Sequence, residues 1–176
     1  MMRRLAATGL VAAVMGVAAC ATPSNPANMT LPATAGLTAA PGDVGYRSVT
    51  SVAVSGGQGT NPLWTSQVSN ADFKTALEAS LTAAGYMGTE GQPMRVSASL
   101  IDLKQPLAGF DLTVTSRVRY TVTRDSQTVF DETVAATGTA SMGQSLMATE
   151  RLRMANEASI RENIKAFLTR FRARAH

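Results

Sequence analysis

The chain has 176 residues, 45% of them apolar and 16% charged, and its 16 basic and 12 acidic side chains give a formal net charge of +4. That length suits one compact domain and is short for two, and the apolar fraction is enough for a single core. Arg3 and Arg4 account for part of the surplus, so from residue 20 onward 14 basic residues face 12 acidic ones, a near balance from which no nucleic-acid partner is expected. One cysteine, Cys20, and one histidine, the terminal His176, leave no internal disulfide, no CxxC pair and too few ligands for structural zinc. Neither a metal nor a cofactor is expected.

The first four residues, Met1-Met2-Arg3-Arg4, form a short positive stretch, and fifteen uncharged, mostly apolar residues follow, from Leu5 to Ala19. This is the layout of a secretory signal. A spanning helix needs about 20 apolar residues, so cleavage is favoured over permanent anchoring. Residues Val17-Ala18-Ala19-Cys20 resemble the bacterial lipobox, in which small side chains precede a lipid-accepting cysteine. The resemblance implies that Cys20 carries diacylglyceryl on its sulfur, with palmitate-type chains, and becomes the first residue of the mature protein. Ala21 after it, in place of Asp, is similar to the sorting pattern for the outer membrane, which implies a protein lipid-anchored on the periplasmic face there, the inner membrane being the alternative.

From Ala21 to Gly42 the sequence holds four of the seven prolines, small or polar residues and no charge. Such a composition cannot build a core of its own, so a flexible tether is predicted over residues 20–43, with a root-mean-square span of roughly 25 Å. A single folded domain is expected over residues 44–176.

Within that domain, Ser48 to Ser55 is rich in β-branched residues and ends at Gly56-Gly57, which reads as a strand. Ser69-Asn70-Ala71-Asp72 has the form of a capping box, and Phe73, Ala76, Leu77, Ser80, Leu81 and Ala84 recur at helical spacing, predicting a helix over 70–84. Val96, Ala98 and Leu100 alternate with polar residues in a strand over 94–104. Leu112, Val114, Ser116, Val118, Tyr120 and Val122 alternate with Thr and Arg in a longer one. Arg124-Asp125-Ser126-Gln127 then supplies a turn, and Thr128 to Thr139 a partner strand, so a β-hairpin is implied. After a break over 138–144, residues 146–172 read as one long helix with Ile160, Ile164, Phe167, Leu168 and Phe171 on one stripe.

Strand, helix, three strands, helix is an α+β order. A right-handed parallel crossover followed by an antiparallel meander gives a two-layer sandwich, with a mixed, mostly antiparallel four-stranded sheet and two helices on one face. The other sheet face is expected to be polar and exposed. Arg170, Arg172 and Arg174 crowd the end of the last helix, where cations offset the carbonyl end of the macrodipole.

Groups able to exchange protons or attack are few. No Ser-His-Asp or Cys-His set can be assembled, and no GxSxG elbow, Walker loop or HExxH helix occurs. The loop Ser55 to Thr60 could offer amides to an anion but lacks the lysine and spacing of a phosphate loop. No catalytic residue is therefore nominated. Arg117 and Arg119, on the wet face of the hairpin and joined by Arg95 on the neighbouring strand, form a possible binding surface for glycolipid phosphate or an acidic protein. Pairing of those arginines with Asp131 or Asp111 is the competing role. Trp64, the only tryptophan, could be an interface anchor or a lid on the core.

Taken with the lipobox and the proline-containing segment, three stretches carry a wider resemblance over about residues 45–172: Ser69 to Gly85, Val118-Arg119-Tyr120-Thr121-Val122 with Val129-Phe130-Asp131, and a closing helix with Ala155, Asn163-Ile164 and Phe167-Leu168. The chain resembles the class of small envelope lipoproteins that includes the YajG-type lipoproteins, the lipopolysaccharide-transport lipoprotein and auxiliary lipoproteins of ABC transporters. The resemblance implies a noncatalytic accessory role, binding an envelope protein or glycolipid in assembly or transport. The alternatives are an enzyme acting on envelope sugars or lipids, such as an acyltransferase, and a lipid- or solute-binding module with its pocket between helix and sheet.

Overall fold

A computed structural model describes residues 20–62 and 65–174. The signal-like residues 1–19, Trp64 and the terminal histidine lie outside that range.

The elements, in chain order, are α1 (Pro26–Met29), β1 (Val49–Ser55), α2 (Asn70–Ala83), β2 (Met94–Lys104), β3 (Leu112–Arg124), β4 (Gln127–Ala140) and α3 (Ala148–Arg174). The four strands form one sheet in the order β1-β2-β3-β4. β1 runs parallel to β2, with α2 as the crossover, while β2-β3 and β3-β4 are antiparallel. This is the expected two-layer α+β arrangement, with α2 and α3 covering one face and a short helix, α1, added to that layer.

Local chemistry explains the boundaries. Ser69 caps α2, its hydroxyl oxygen accepting the Asp72 N–H at 3.1 Å, and Gly85 leaves the helix at φ 76°. The β3-β4 hairpin closes with Arg124 opposite Gln127, leaving Asp125 and Ser126 as a two-residue loop, both at positive φ. A two-residue turn of that kind matches the right-handed twist of its strands.

Along β3, Leu112, Val114, Ser116, Val118, Tyr120 and Val122 are buried, while Thr113, Arg117 and Arg119 are exposed. At the centre of the core the Tyr120 and Phe167 rings stack with centroids 4.1 Å apart, and Phe130 meets Phe167 edge-on at 5.5 Å. Burying side chains of this size stabilises by roughly 1.5–3 kcal/mol each.

Two expectations change. The break predicted to start at Gly138 starts later, because β4 continues to Ala140 and α3 crosses it directly over Gly138. A Cβ there would lie 2.1 Å from the Ser159 backbone nitrogen and 2.5 Å from the Ala155 carbonyl oxygen, so only glycine admits this approach. Beside the crossing, the Ser159 hydroxyl donates to Ser116 Oγ at 2.8 Å, and Asn163 Nδ2 donates to the Val134 carbonyl at 3.0 Å.

The larger correction concerns residues 20–43, predicted as a flexible tether and found packed along the helix layer. Met29, Leu31, Leu37 and Ala39 are buried, and backbone bonds fix the segment at both ends, Ala21 N–H to the Pro62 carbonyl at 2.8 Å and Ala39 N–H to the Ala84 carbonyl at 2.8 Å. Asn25 caps α1 by accepting the Ala27 N–H at 3.0 Å, and α1 lies against both α2 and α3. The segment has too few apolar residues for a core of its own. It shares the core of the helices instead, which composition does not reveal.

Candidate functional site

The sequence-nominated residues fall in different places. Arg95, Arg117 and Arg119 all lie exposed on the open sheet face, as expected, but they do not form one cluster. Arg95 stands opposite Thr123 and Arg119 opposite Ser99. Four strand positions separate the two rows, roughly 13 Å. Arg119 is held by Asp131 on β4 through two bonds, Nε to Oδ1 at 2.8 Å and Nη2 to Oδ2 at 2.6 Å. That guanidinium, donating its hydrogen bonds, holds the Asp131 carboxyl below its ordinary range. The competing role, cross-strand pairing, is therefore the one Arg119 fills. Arg117 faces Ala135 on one side and Asp102 on the other, just past a bulge in β2.

The Ser55 to Thr60 loop does not present free amides at its second and third glycine-rich positions. Gly57 N–H donates to Asn70 Oδ1 at 2.7 Å and Gln58 N–H to the Val68 carbonyl at 3.0 Å. Among the described residues no cluster of three or more His, Cys, Asp or Glu side chains is placed to hold a metal ion. No helix among them is long and apolar enough to cross a membrane.

Cys20 is exposed and sits one residue before the point where the chain joins the fold. Ala21 is bonded to Pro62 and Ser24 N–H to the Gln67 carbonyl at 3.3 Å, so Cys20 lies beside the loop that leaves β1, at the end of the sheet from which β1 and β2 exit. The neighbouring carbonyl of Ser66 accepts from Gln105 Nε2 at 2.9 Å and from Asn156 Nδ2 at 3.0 Å. Any group attached at Cys20 is thus held beside the loop after β1, whose Ser66 is bonded in turn to Gln105 of the loop after β2 and to Asn156 of α3.

At the opposite end, two adjoining clefts of about 390 and 340 Å³ share Val44, Met94 and Arg124. The second has an apolar floor of Met94, Val129 and Phe171, with Arg174 at its edge. Arg174 pairs with Glu132 at 2.6 Å and lies 5.5 Å over the Phe130 ring. The sequence signal for this cleft was slight, since Met94, Val129 and Phe171 come from three separate elements. Elsewhere the interior between helices and sheet is filled by the buried aromatic and aliphatic side chains.

The arginines at the end of α3 do more than offset the helix dipole. Arg172 Nη1 donates to the carbonyls of Gly36 at 3.0 Å and Thr38 at 2.7 Å, and Arg170 pairs with Glu132 at 3.3 Å. They tie the N-terminal segment and β4 to the helix.

No protein-family model matches the sequence, and no curated protein matches it. Solved structures do match. Protein XCC0632 from Xanthomonas campestris, whose family model is DUF330, superposes with a TM-score of 0.54 at 10% identity, covering 78% of this chain and 91% of that one. A protein described as a candidate lipoprotein from Caulobacter crescentus CB15 superposes with a TM-score of 0.50 at 13% identity, covering 74% of this chain and 91% of the other. At these identities the likeness is one of fold. It extends over nearly the whole of both neighbours.

Proposed function

We propose that the chain is a lipid-anchored, noncatalytic accessory protein of the bacterial cell envelope, attached through Cys20 to the periplasmic face of the outer membrane. The observation that carries this reading is the coincidence of Val17-Ala18-Ala19-Cys20, behind a signal-like stretch, with a fold that takes hold at the very next residue, Ala21. The Caulobacter crescentus neighbour, itself described as a candidate lipoprotein, supports the lipid anchor in this reading. Two acyl chains hold a protein firmly where one holds it only reversibly, because each buried methylene contributes about 0.8 kcal/mol.

On this reading the open sheet face, with Arg117 and Arg95, is available to an envelope protein or glycolipid. Mass spectrometry of the protein purified from membranes tests the anchor. A chain starting at Cys20 with a diacylglyceryl thioether is expected, whereas an unacylated chain, or one retaining residues 1–19, refutes it. Crosslinking in intact cells tests the accessory role. Charge reversal at Arg117 and Arg119 is expected to change the crosslinked partners, and an unchanged set removes the sheet face from the proposal.

The cleft at the hairpin end favours a second reading, a lipid-binding module. Its apolar floor of Met94, Val129 and Phe171 beside Arg124 and Arg174 suits an acyl chain with an anionic head. A lipid co-purifying with the protein and lost on Phe171→Asp substitution supports that reading, and a lipid-free preparation counts against it.

A further inference from the structure

Three loops meet at the end of the fold that carries Cys20. They follow β1 (residues 56–62 and 65–69 of those described), β2 (105–111) and β4 (141–147), and the start of α3 stands beside them. Hydrogen bonds link them into one surface. Gln105 reaches the Ser66 carbonyl at 2.9 Å, Arg151 Nη1 reaches the Ser145 carbonyl at 2.8 Å, and Met142 N–H reaches Asp111 Oδ1 at 3.2 Å.

The side chains at this end are unusual for a water-facing surface. Leu107 is 106% exposed, Leu146 81% and Phe110 77%, and Met142 and Met147 are exposed beside them. Residues 56–69, 105–110 and 141–149 contain no charged side chain at all. At the other end of the same sheet the charges gather, with Asp43, Arg47, Glu90, Arg124, Asp125, Arg172 and Arg174. Single exposed apolar residues are ordinary, but five on adjoining loops whose one charged side chain, Asp111, accepts the Met142 N–H mark a contact surface.

We propose that this end of the fold sits in the headgroup region of the bilayer, so that the domain docks on the membrane through its apolar loop tips together with the acyl chains on Cys20. The inference rests on the lipid anchor proposed above. Its occupant follows from the geometry of the N-terminal segment. Consecutive Cα atoms are about 3.8 Å apart, so with Ala21 bonded to Pro62 the Cys20 sulfur has no tether on which to swing away. Acyl chains leaving that sulfur into a bilayer bring the neighbouring loops to its surface. Charged groups there would be costly to desolvate, and the loops carry only Asp111, bonded to the Met142 N–H; Leu, Phe and Met gain by entering the interface, about 5–10 Å deep. The hairpin turn at Asp125 and Ser126 then points away, roughly 40 Å along the thirteen residues of β3 from the membrane-facing loops.

The test uses the acylated protein, its lipidation verified by mass spectrometry, in protein-free vesicles of phosphatidylethanolamine and phosphatidylglycerol. Single cysteines replace Phe110, Leu146 or Ser126, each carrying an environment-sensitive fluorophore, and brominated phosphatidylcholine serves as quencher. All three positions are exposed, and Cys20 is blocked by its lipid. Labels at 110 and 146 are expected to be quenched at least about twofold, and the label at 126 not at all, as interfacial depth dictates. An acylated, vesicle-bound protein with 110 and 146 unquenched overturns the docking while leaving the anchor standing. So does equal quenching at all three sites. A mature chain that carries no lipid overturns the anchor and this inference together.

Discussion

Glu157 on α3 accepts the backbone N–H of Asn25 at 2.7 Å, joining positions 132 residues apart. Its second oxygen accepts from Asn28 Nδ2 at 2.9 Å, and the side chain is ion-paired with Arg153 one turn earlier. One buried carboxylate therefore latches the N-terminal segment to the helix layer. Glu157→Ala leaves Arg153 and two amide donors without this partner, so a loss of about 3 kcal/mol is expected in urea unfolding. Limited proteolysis should then cut within residues 20–43 while β3 and β4 stay protected. Cleavage no faster than in the unsubstituted protein would show that the latch contributes nothing.

At Gly138 the backbone of α3 lies directly against the sheet, with Ser159 N, Ala155 O and Ala158 C at 2.1, 2.5 and 2.6 Å from any added methyl carbon. Gly138→Ala should destabilise by at least about 2 kcal/mol, because neither helix nor strand can yield without breaking its own hydrogen bonds. Gly143→Ala is the control. Its added Cβ would meet nothing closer than Ser141 Oγ at 3.7 Å, so a change within about 0.5 kcal/mol is expected. Comparable melting temperatures for the two variants contradict the close crossing.

Phe167 touches three aromatic rings, stacked on Tyr120 at 4.1 Å, edge-on to Phe130 at 5.5 Å and beside Phe171 at 5.8 Å. Truncation to Ala opens a cavity that the sheet cannot collapse into, at an expected cost of about 3–5 kcal/mol. Phe167→Leu fills most of that volume and should lose less than half as much. Near-equal losses for the two point to aromatic geometry over volume as the main contribution.

Two carboxyls carry a pH dependence. Arg119 holds Asp131 below the ordinary value of 3.8, and Arg153 holds Glu150 below 4.5. A carboxyl depressed in the folded state contributes stability in full above its unfolded pKa, and that contribution is lost as pH falls through the folded value. The contribution of these two pairs should therefore be constant above about pH 5 and decline below it. Asp131→Asn and Glu150→Gln should each shallow the decline at low ionic strength, as read from denaturant midpoints. High salt should shrink the Asp131 effect, since that pair is solvent-exposed. Acid limbs identical to that of the unsubstituted protein refute the assignment.

The alternation along β3 and β4 and the stripe on α3 made the sheet, its hairpin and the closing helix legible in the sequence. Each of those elements records in its own residues which face is wet. Leu112 to Val122 on β3 and Ile160 to Phe171 on α3 are spaced by the period of the backbone they adopt, whatever else surrounds them. Asn25 to Ala39 has no such period. Its four buried apolar residues are scattered among prolines, alanines and threonines, and their order comes from a groove that exists only once α2 and α3 are in place.

The sequence alone determined the strand-helix-strand-strand-strand-helix order and marked Cys20 as the one residue with a covalent role to propose. Only the tertiary structure decided where Cys20 stands. Loops far apart in the chain, around Pro62, Phe110 and Leu146, become neighbours through the closure of a four-stranded sheet, and the pattern within each strand does not record which loops end side by side. The same holds for Arg119, whose partner Asp131 is fixed by hairpin register, and for Gly138, whose need for glycine comes from a helix that begins ten residues later.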